Sequence, residues 1–271
     1  MEQYIDIRKE IRNSESAFLK RLPGFIITLI TKIIRQNEMN DLLNRFGHLK
    51  TYDFLDAMLK EMQIKIDVKG LENLPDKSKC FFVANHPFGV ADGLILTYIV
   101  SGKYGEFRSI GNNVFLLIPP LRPIIAAINV FGTNGREYFK ELDKVYHSEL
   151  PITHFPAGIV SRVVNGKVMD DSWHKSMITK SVSCQRNIVP LFFDGKNSRL
   201  FYAIYRVRKF FGIKLNIELM LLPNEFFNKK GRTISVHIGH MIPYATFDKS
   251  KSQIEWAQWL KDKTYSLKSS I

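Results

Sequence analysis

The sequence predicts an α/β protein in which one central sheet is flanked by helices, with a small helical element in front of it. Strand-like apolar runs alternate with helical patterns from residue 64 onward, as they do around a single sheet. The 271 residues are 45% hydrophobic and 24% charged, so the chain can bury a sizeable core and fold as a globular protein. We therefore assign residues 1–63 to N-terminal helices and residues 64–271 to the α/β domain.

The N-terminal part predicts two helices. The longer apolar stretch covers residues 22–34 and has Lys20, Arg21 and Arg35 at its ends. As a helix it would be roughly 20 Å long, against about 30 Å for the hydrocarbon core of a bilayer, so it is too short to span one. A short apolar helix with basic flanks is typical of a membrane-interfacial segment, although a core helix of a small bundle has the same pattern. The second helix is expected at residues 53–62, where apolar residues fall on one face.

The α/β domain begins where the hydrophobic period changes. Between residues 64 and 68, isoleucine and valine alternate with charged residues, as in a half-exposed strand. Pro190 lies inside a later apolar run and indicates an edge strand or a bulge. The further strands are expected at residues 80–84, 125–131, 151–155, 188–193, 216–222 and 233–238, and the helices at residues 93–100, 136–147, 172–183 and 252–267.

Charge and composition restrict the partners and the compartment. The formal net charge of +13 predicts a polyanionic partner, which could be a nucleic acid or an anionic lipid surface. Cys80 and Cys184 match no metal-binding spacing, so free thiols in a reducing compartment are expected. The first ten residues contain no apolar signal core, which favours a cytoplasmic location.

One segment, residues 81–93, combines a buried-type strand with a possible general base. It reads Phe-Phe-Val-Ala-Asn-His-Pro-Phe-Gly-Val-Ala-Asp-Gly and brings His86 and Asp92 close in sequence. Histidine has a pKa near neutral pH, and a carboxylate can orient the ring and stabilise the imidazolium. An ordinary capped turn between a strand and a helix explains the same residues, because such turns are rich in Pro, Gly and Asp.

Three further clusters lie where predicted strands end. Residues 131–137 lead Arg136 into a helix, where it could bind a phosphate or carboxylate or simply lie in solvent. Residues 155–162 read Phe-Pro-Ala-Gly-Ile-Val-Ser-Arg and predict an irregular, ligand-facing loop. Residues 188–193 read Ile-Val-Pro-Leu-Phe-Phe, most of which is core.

Together and in this order, the four clusters resemble the motifs of the glycerolipid acyltransferases, the PlsC-like or lysophospholipid acyltransferase family. The first motif of that family is Asn-His, four residues, then Asp. It is matched by Asn85, His86 and Asp92 with five intervening residues. The resemblance covers roughly residues 71–244. The other motifs are matched by Gly132 and Arg136, by Phe155, Pro156, Gly158, Ser161 and Arg162, and by residues 188–191.

The resemblance implies acyl transfer from an acyl thioester, either acyl-ACP or acyl-CoA, to the hydroxyl of a lyso-lipid. His86 would be the general base and Asp92 would orient it, with no metal and no cofactor besides the thioester co-substrate. The implied partners are membrane lipids, an anionic bilayer surface and the acyl carrier protein or coenzyme A thioester, but not nucleic acid. The enzyme would be peripheral on the cytoplasmic face of the membrane. The implied substrate-binding residues are Asn85, Gly132, Thr133, Arg136, Phe155, Pro156, Gly158, Ser161 and Arg162.

Two departures from the family pattern bear on the substrate. With the usual spacing the aspartate would fall on Ala91, so His86 must precede the helix and the loop must absorb one extra residue. Ala157 stands where the family typically carries a glutamate associated with the glycerophosphate acceptor. A changed acceptor follows, and the pattern is most similar to enzymes that acylate lyso-aminolipids such as lyso-ornithine or lyso-glycine lipids.

Residues 200–215 leave two other classes of function open. Aromatic and basic side chains alternate there, which suits a face against a bilayer but is also typical of a non-catalytic single-strand nucleic-acid binder. A lipid hydrolase or thioesterase on the same fold is the third possibility, since it would use the same base against water.

Overall fold

The structure of the protein, a computed structural model, describes residues 2–14, 20–128, 136–164, 166–213 and 215–269. In these residues the strands are β1 (Lys65–Lys69), β2 (Cys80–Ala84), β3 (Arg108–Asn112), β4 (Ile125–Ile128), β5 (Ile152–His154), β6 (Arg162–Val164), β7 (Lys167–Met169), β8 (Asn187–Asp194) and β9 (Thr233–Ile238). The α-helices there are α1 (Ile7–Asn13), α2 (Gly24–Ile33), α3 (Gln36–Phe46), α4 (Thr51–Glu61), α5 (Val90–Tyr104), α6 (Arg136–His147), α7 (Ser176–Ser183), α8 (Arg199–Phe210), α9 (Leu222–Phe227) and α10 (Gln253–Ser266).

A mixed sheet organises this part of the chain. Seven of the described strands form it in the order β1-β9-β8-β2-β5-β3-β4, and β6 pairs with β7 in a separate antiparallel hairpin. Neighbouring strands of the sheet run parallel except β8 and β9. The predicted class, an α/β fold with one central sheet flanked by helices, is confirmed. Because β2 lies mid-sheet, its carboxyl end opens at the edge where α/β proteins bind ligands.

Strand β2 is buried on both faces, which explains its unbroken apolar sequence. Phe82 and Ala84 face the core cluster covered by α4 and α5. Phe81 and Val83 face the opposite cluster, which is covered by α7 and α10. The end of β2 is therefore held from both sides, and the residues that follow it start from a fixed position.

The N-terminal helices differ in how they are buried. Helix α4 packs Phe54, Leu55 and neighbouring residues into the same core as the sheet. Helix α2 has no buried residue, and Phe25 and Leu29 are 71% and 53% exposed. The helices predicted at residues 22–34 and 53–62 are thus confirmed as α2 and α4, while the division of the chain at residue 63 stays a prediction. No helix in the described ranges is long and apolar enough to cross a membrane.

The strand predicted at residues 216–222 is wrong. Ile217–Leu221 form a 3-10 helix that runs into α9, where Pro223 occupies the first turn. Leu219 and Leu221 pack against α8 instead of extending the sheet. The alternating apolar residues of this segment predicted a strand, but they form the apolar face of a short 3-10 helix that packs against α8.

Pro190 is not in an edge strand, because β8 lies between β9 and β2. The bulge that the proline also indicated is present. Leu191 pairs with Ile238 but Ile188 pairs with Ile242, so the β8–β9 register slips by one residue across Pro190. Seven of the described elements were not predicted: the strands β3, β6 and β7 and the helices α1, α3, α8 and α9. Of the strand predicted at residues 125–131, β4 is observed and the rest lies outside the described residues.

Candidate active site

His86 and Asp92 lie together at the carboxyl end of β2. Their Nδ1 and Oδ1 atoms are 3.1 Å apart, and the side chains are 16% and 0% exposed. The distance is that of an ion pair, but the angle is outside hydrogen-bond geometry. Catalytic hydrogen bonds are often poorly aligned before substrate binds, so the pair remains a candidate base and its orienting carboxylate.

Asp92 is held by the loop that carries His86. Its Oδ2 accepts the Phe88 N–H at 2.8 Å and its Oδ1 accepts the Gly93 N–H at 2.9 Å. A carboxylate in the first turn of α5 is also favoured by the helix dipole. The histidine precedes the helix as expected, and the extra residue lies in the loop. There Gly89 has φ +87°, and a Cβ at this position would lie 2.8 Å from Leu222.

The other face of the imidazole rests on the loop after β5. The ring of His86 stacks on Phe155 with centroids 3.9 Å apart. The Gly158 N–H closes a turn onto the Phe155 carbonyl at 2.9 Å, with Gly158 at φ +67°. The Pro156 carbonyl accepts the His174 N–H at 3.0 Å. The structure thus brings Phe155 against His86, and Pro156 and Gly158 shape the loop that carries Phe155.

Ser161 and Arg162 follow this loop and are both buried. The Ser161 N–H donates to the His86 carbonyl at 2.8 Å. The Arg162 guanidinium donates to the Val160 carbonyl and, at 2.9 Å, to Glu218. Burial lowers the pKa of Arg162, while Glu218 opposes that shift. The guanidinium is engaged within the protein, so head-group binding by Arg162 stays a prediction.

Asn85 joins two strands. It is buried, its Nδ2 donates to the Phe193 carbonyl at 2.9 Å, and its Oδ1 accepts the Phe193 N–H at 2.7 Å. These bonds tie the end of β2 to β8, which holds the base of the His86 loop. Gly132 and Thr133 lie outside the described residues, and Arg136 begins α6 with its side chain outside them.

Two side chains near His86, those of Asp170 and His154, were not predicted from the sequence as part of the site. Asp170 follows β7, and its carboxylate accepts the His86 N–H at 3.1 Å. His154 ends β5, and burial, with smaller contributions from His174 and His86, lowers its pKa to about 4. No motif marks either residue, because the sheet and the β6–β7 hairpin bring them to His86 from distant positions.

Comparison with known proteins identifies the family to which the chain belongs. A family model described as "Acyltransferase" matches residues 11–271. The chain belongs to this acyltransferase family. A lyso-glycine lipid O-acyltransferase from Phocaeicola vulgatus is 37% identical to it over 264 residues, which are 97% of this chain and 95% of that protein. A lyso-glycine lipid O-acyltransferase from Bacteroides thetaiotaomicron is 36% identical over 264 residues, which are 97% of both chains.

A solved structure overlaps the acyltransferase more loosely. It is the 1-acyl-sn-glycerophosphate acyltransferase PlsC from Thermotoga maritima, at a TM-score of 0.45 and 17% identity over 90% of this chain and 97% of that chain. Similarity at this level supports no statement about function. Membership of an acyltransferase family sets the non-catalytic nucleic-acid binder aside.

An open cavity of about 580 Å³ adjoins the loop after β5. Ala157 lies in its wall, where a glutamate was expected from the family pattern, and His174 and Lys175 line it as well. A small residue at 157 leaves room that a glutamate side chain would fill. The carboxylate of Asp171 is in the lining too, so the cavity presents both nitrogen bases and an acid to whatever enters it.

Proposed function

We propose that the protein transfers a fatty acyl group from acyl-ACP or acyl-CoA to the hydroxyl of a lyso-aminolipid, with lyso-glycine lipid as the first acceptor to test. One observation carries the proposal: the His86–Asp92 pair lies at the end of β2 in a chain 37% identical, over almost its whole length, to a lyso-glycine lipid O-acyltransferase. A lysophospholipid is the second acceptor class, and acyl transfer is common to both.

The proposed mechanism is direct transfer with His86 as base. Since Nδ1 faces Asp92, Nε2 is left to take the proton of the acceptor hydroxyl. The hydroxyl oxygen attacks the thioester carbonyl carbon, and the C–S bond breaks as the ester forms. The thiol leaves with the proton that the imidazolium returns. General-base help of this kind accelerates a reaction by about 10²- to 10⁴-fold.

The cavity beside Ala157 supports the choice of acceptor. A glycine head group carries a free carboxylate, and His174 and Lys175 would complement its charge. A glutamate at 157 would repel that carboxylate and occupy the space. We expect Ala157→Glu to lower kcat/KM for lyso-glycine lipid while leaving KM for the acyl donor unchanged. An unchanged kcat/KM for the acceptor would remove this support.

A lipid enzyme must also reach its membrane. The docking face is formed by exposed apolar residues of α2 and α8, namely Phe25, Leu29, Leu200, Val207 and Phe210, with Arg199, Arg206 and Lys209 exposed among them. Ile33 of α2 packs on the cluster that holds Phe201 of α8, so the two helices adjoin. Apolar side chains with basic neighbours favour an anionic bilayer surface, and we assign this face to the cytoplasmic leaflet.

Purified enzyme tests the reaction directly. It would be given lyso-glycine lipid, lyso-ornithine lipid or lysophosphatidate together with acyl-ACP or acyl-CoA, and products would be followed by mass spectrometry. His86→Ala and Asp92→Asn should each lower the rate by at least about 10²-fold. The matched control is His147→Ala, which removes an exposed histidine whose Nδ1 lies 3.3 Å from Asp143.

The outcomes separate the competing functions. Wild-type activity in His86→Ala would remove His86 as base. Release of free fatty acid without acylated lipid would favour the hydrolase or thioesterase, and exclusive use of lysophosphatidate would overturn the aminolipid acceptor.

The docking face is tested by cosedimentation with phosphatidylcholine vesicles, with and without phosphatidylglycerol. Phe25→Asp with Phe210→Asp should weaken binding at least about tenfold, because a buried phenylalanine contributes about 1.5–3 kcal/mol. Leu71→Asp is the control, since Leu71 is 55% exposed and belongs to neither α2 nor α8. Equal binding by both variants would contradict the assignment.

A further inference from the structure

A second buried carboxylate, that of Asp170, contacts His86. Asp170 is 1% exposed, and three donors surround its carboxylate. Its Oδ1 accepts the backbone N–H of His86 at 3.1 Å and the hydroxyl of Ser161 at 2.5 Å. Its Oδ2 accepts the indole N–H of Trp173 at 2.8 Å. Asp92 thus contacts the ring of His86, whereas Asp170 binds its main chain.

The surroundings of Asp170 suit the ionised carboxylate. The His86 amide and the Trp173 indole can only donate, so two of the three partners require an acceptor. On balance the pKa of Asp170 is raised, because the effect of burial outweighs that of the bonds from Ser161, Trp173 and His86, which lower it. The buried ammonium of Lys261 donates to the Asp170 carbonyl at 2.8 Å and supplies a nearby positive charge.

Asp170 also joins three parts of the fold. Its own N–H donates to the Tyr265 hydroxyl at 2.7 Å, which ties it to α10. Ser161, whose hydroxyl it accepts, donates its own N–H to the His86 carbonyl at 2.8 Å. The main chain of His86 is therefore tied to residue 161 twice, once directly at its carbonyl and once through Asp170 at its N–H.

We propose that Asp170 is a positioning residue for acyl transfer: its carboxylate holds the backbone of His86 against the Ser161 loop and adds negative charge that stabilises the imidazolium. The proposal rests on His86 being the base of the proposed function. A displacement of about 1 Å in a reacting group can cost on the order of 10²-fold in rate, so a tie on the backbone of the base affects turnover. Asp92 accepts from the backbone of Phe88 and Gly93, whereas the backbone of His86 is bound by Ser161 and Asp170.

Asp170→Asn removes the charge and keeps the size. The asparagine oxygen can still accept from His86 and Ser161, but its NH₂ group then faces the Trp173 indole N–H, donor against donor. Trp173→Phe removes that second donor. The double variant Asp170→Asn with Trp173→Phe therefore restores compatible packing without restoring the charge.

Two kinetic readouts separate positioning from general destabilisation. Asp170→Asn should lower kcat about 10- to 100-fold with KM for the acyl donor changed less than about twofold. The double variant should recover part of that kcat. In both, the rising limb of kcat/KM against pH should move to lower pH by at least about 0.3 unit, because losing a negative charge lowers the pKa of His86. Asp92, His154 and His174, the other titratable groups around it, are unchanged.

A measurement on His86 itself does not depend on turnover. The Cε1–H signal of His86, identified by its loss in His86→Ala, would be titrated by NMR in the wild type and in both variants. A lower His86 pKa in the variants supports the proposal. A wild-type kcat in Asp170→Asn overturns the proposal. A lowered kcat also overturns it if the rising limb of the pH profile and the NMR titration of His86 are unmoved in both variants. Absence of acyl transfer by the wild type would refute the proposed function, and the titration would still decide the role of Asp170.

Discussion

Glu218 is the buried anion that joins the Ser161–Arg162 segment to α8. It is 0% exposed, and its Oε1 accepts from Arg162 at 2.9 Å and from Arg208 at 3.3 Å. The Arg208 Nε also lies 2.8 Å from Oε2, although not at a hydrogen-bonding angle. Two guanidiniums therefore depend on one carboxylate, between the candidate site and the proposed docking face.

We expect Glu218→Gln to destabilise the protein by about 3–5 kcal/mol, the usual cost of breaking a buried ion pair by removing one partner. The side chains of Arg162 and Arg208 are only 6% and 12% exposed, so water cannot replace the lost charge. The loss is a large part of the roughly 5–15 kcal/mol that stabilises a typical domain. Glu61→Gln is the matched control. Glu61 meets Arg45 at 2.7 Å in a partly exposed pair, and a much smaller loss of stability is expected because solvent screens such a pair.

Urea unfolding followed by circular dichroism and tryptophan fluorescence measures both variants, with the midpoint compared at equal slope. A further variant replaces the network by apolar side chains, Arg162→Met with Arg208→Met and Glu218→Leu. It should be less destabilised than Glu218→Gln, because no unpaired charge remains buried. If Glu218→Gln and Glu61→Gln lose the same stability, the network does not act as a buried ion pair and the reasoning fails.

Two other predictions concern buried basic side chains. His154 has a folded-state pKa of about 4, below the ordinary 6.5, so its contribution to the free energy of unfolding is present above pH 6.5 and is lost as the pH falls. Between pH 7.5 and pH 5, urea unfolding should show that the wild type loses about 2 kcal/mol more stability than His154→Gln. Parallel pH profiles of the two proteins would contradict this. Arg186 is fully buried and its guanidinium donates to the carbonyls of Tyr146, Leu150 and Ser148. Arg186→Lys should therefore lower the free energy of unfolding by about 3 kcal/mol in the same assay. A loss below about 1 kcal/mol would show that a lysine ammonium can replace these bonds.

The fold was predictable where local pattern and burial agree. Strands β2 and β8 are short apolar runs, and a central sheet buries such runs whatever their neighbours are. Strand β3 was missed because Arg108–Asn112 contains one aliphatic residue, Ile110, and is specified by pairing with β4 and β5. The residues at 216–222 were misread because their partners are in α8, and contact at that distance leaves no local signal.

The candidate site was predictable where chemistry is local in sequence. His86 and Asp92 are six positions apart, and one strand, one loop and one helical turn bring them together. Asp170 could not be found in this way, since 84 residues separate it from His86 and the β6–β7 hairpin delivers it. Asn85 was expected at the substrate, but its amide is engaged by Phe193, a contact that needs the register of β2 and β8.

The arrangement explains how an acyltransferase can change its acceptor and keep its base. The ring of His86 lies against Asp92 from α5, and its main chain is bound by Asp170 and Ser161. The side chain of Ala157 belongs to a different packing cluster and lines the open cavity. Neither Asp92 nor Asp170 is among the residues that line this cavity, although Trp173, which donates to Asp170, is one of them. We therefore propose that the residue at 157 sets which head group fits without changing the proton-transfer geometry, and the separate responses of acceptor and donor KM to Ala157→Glu test this independence.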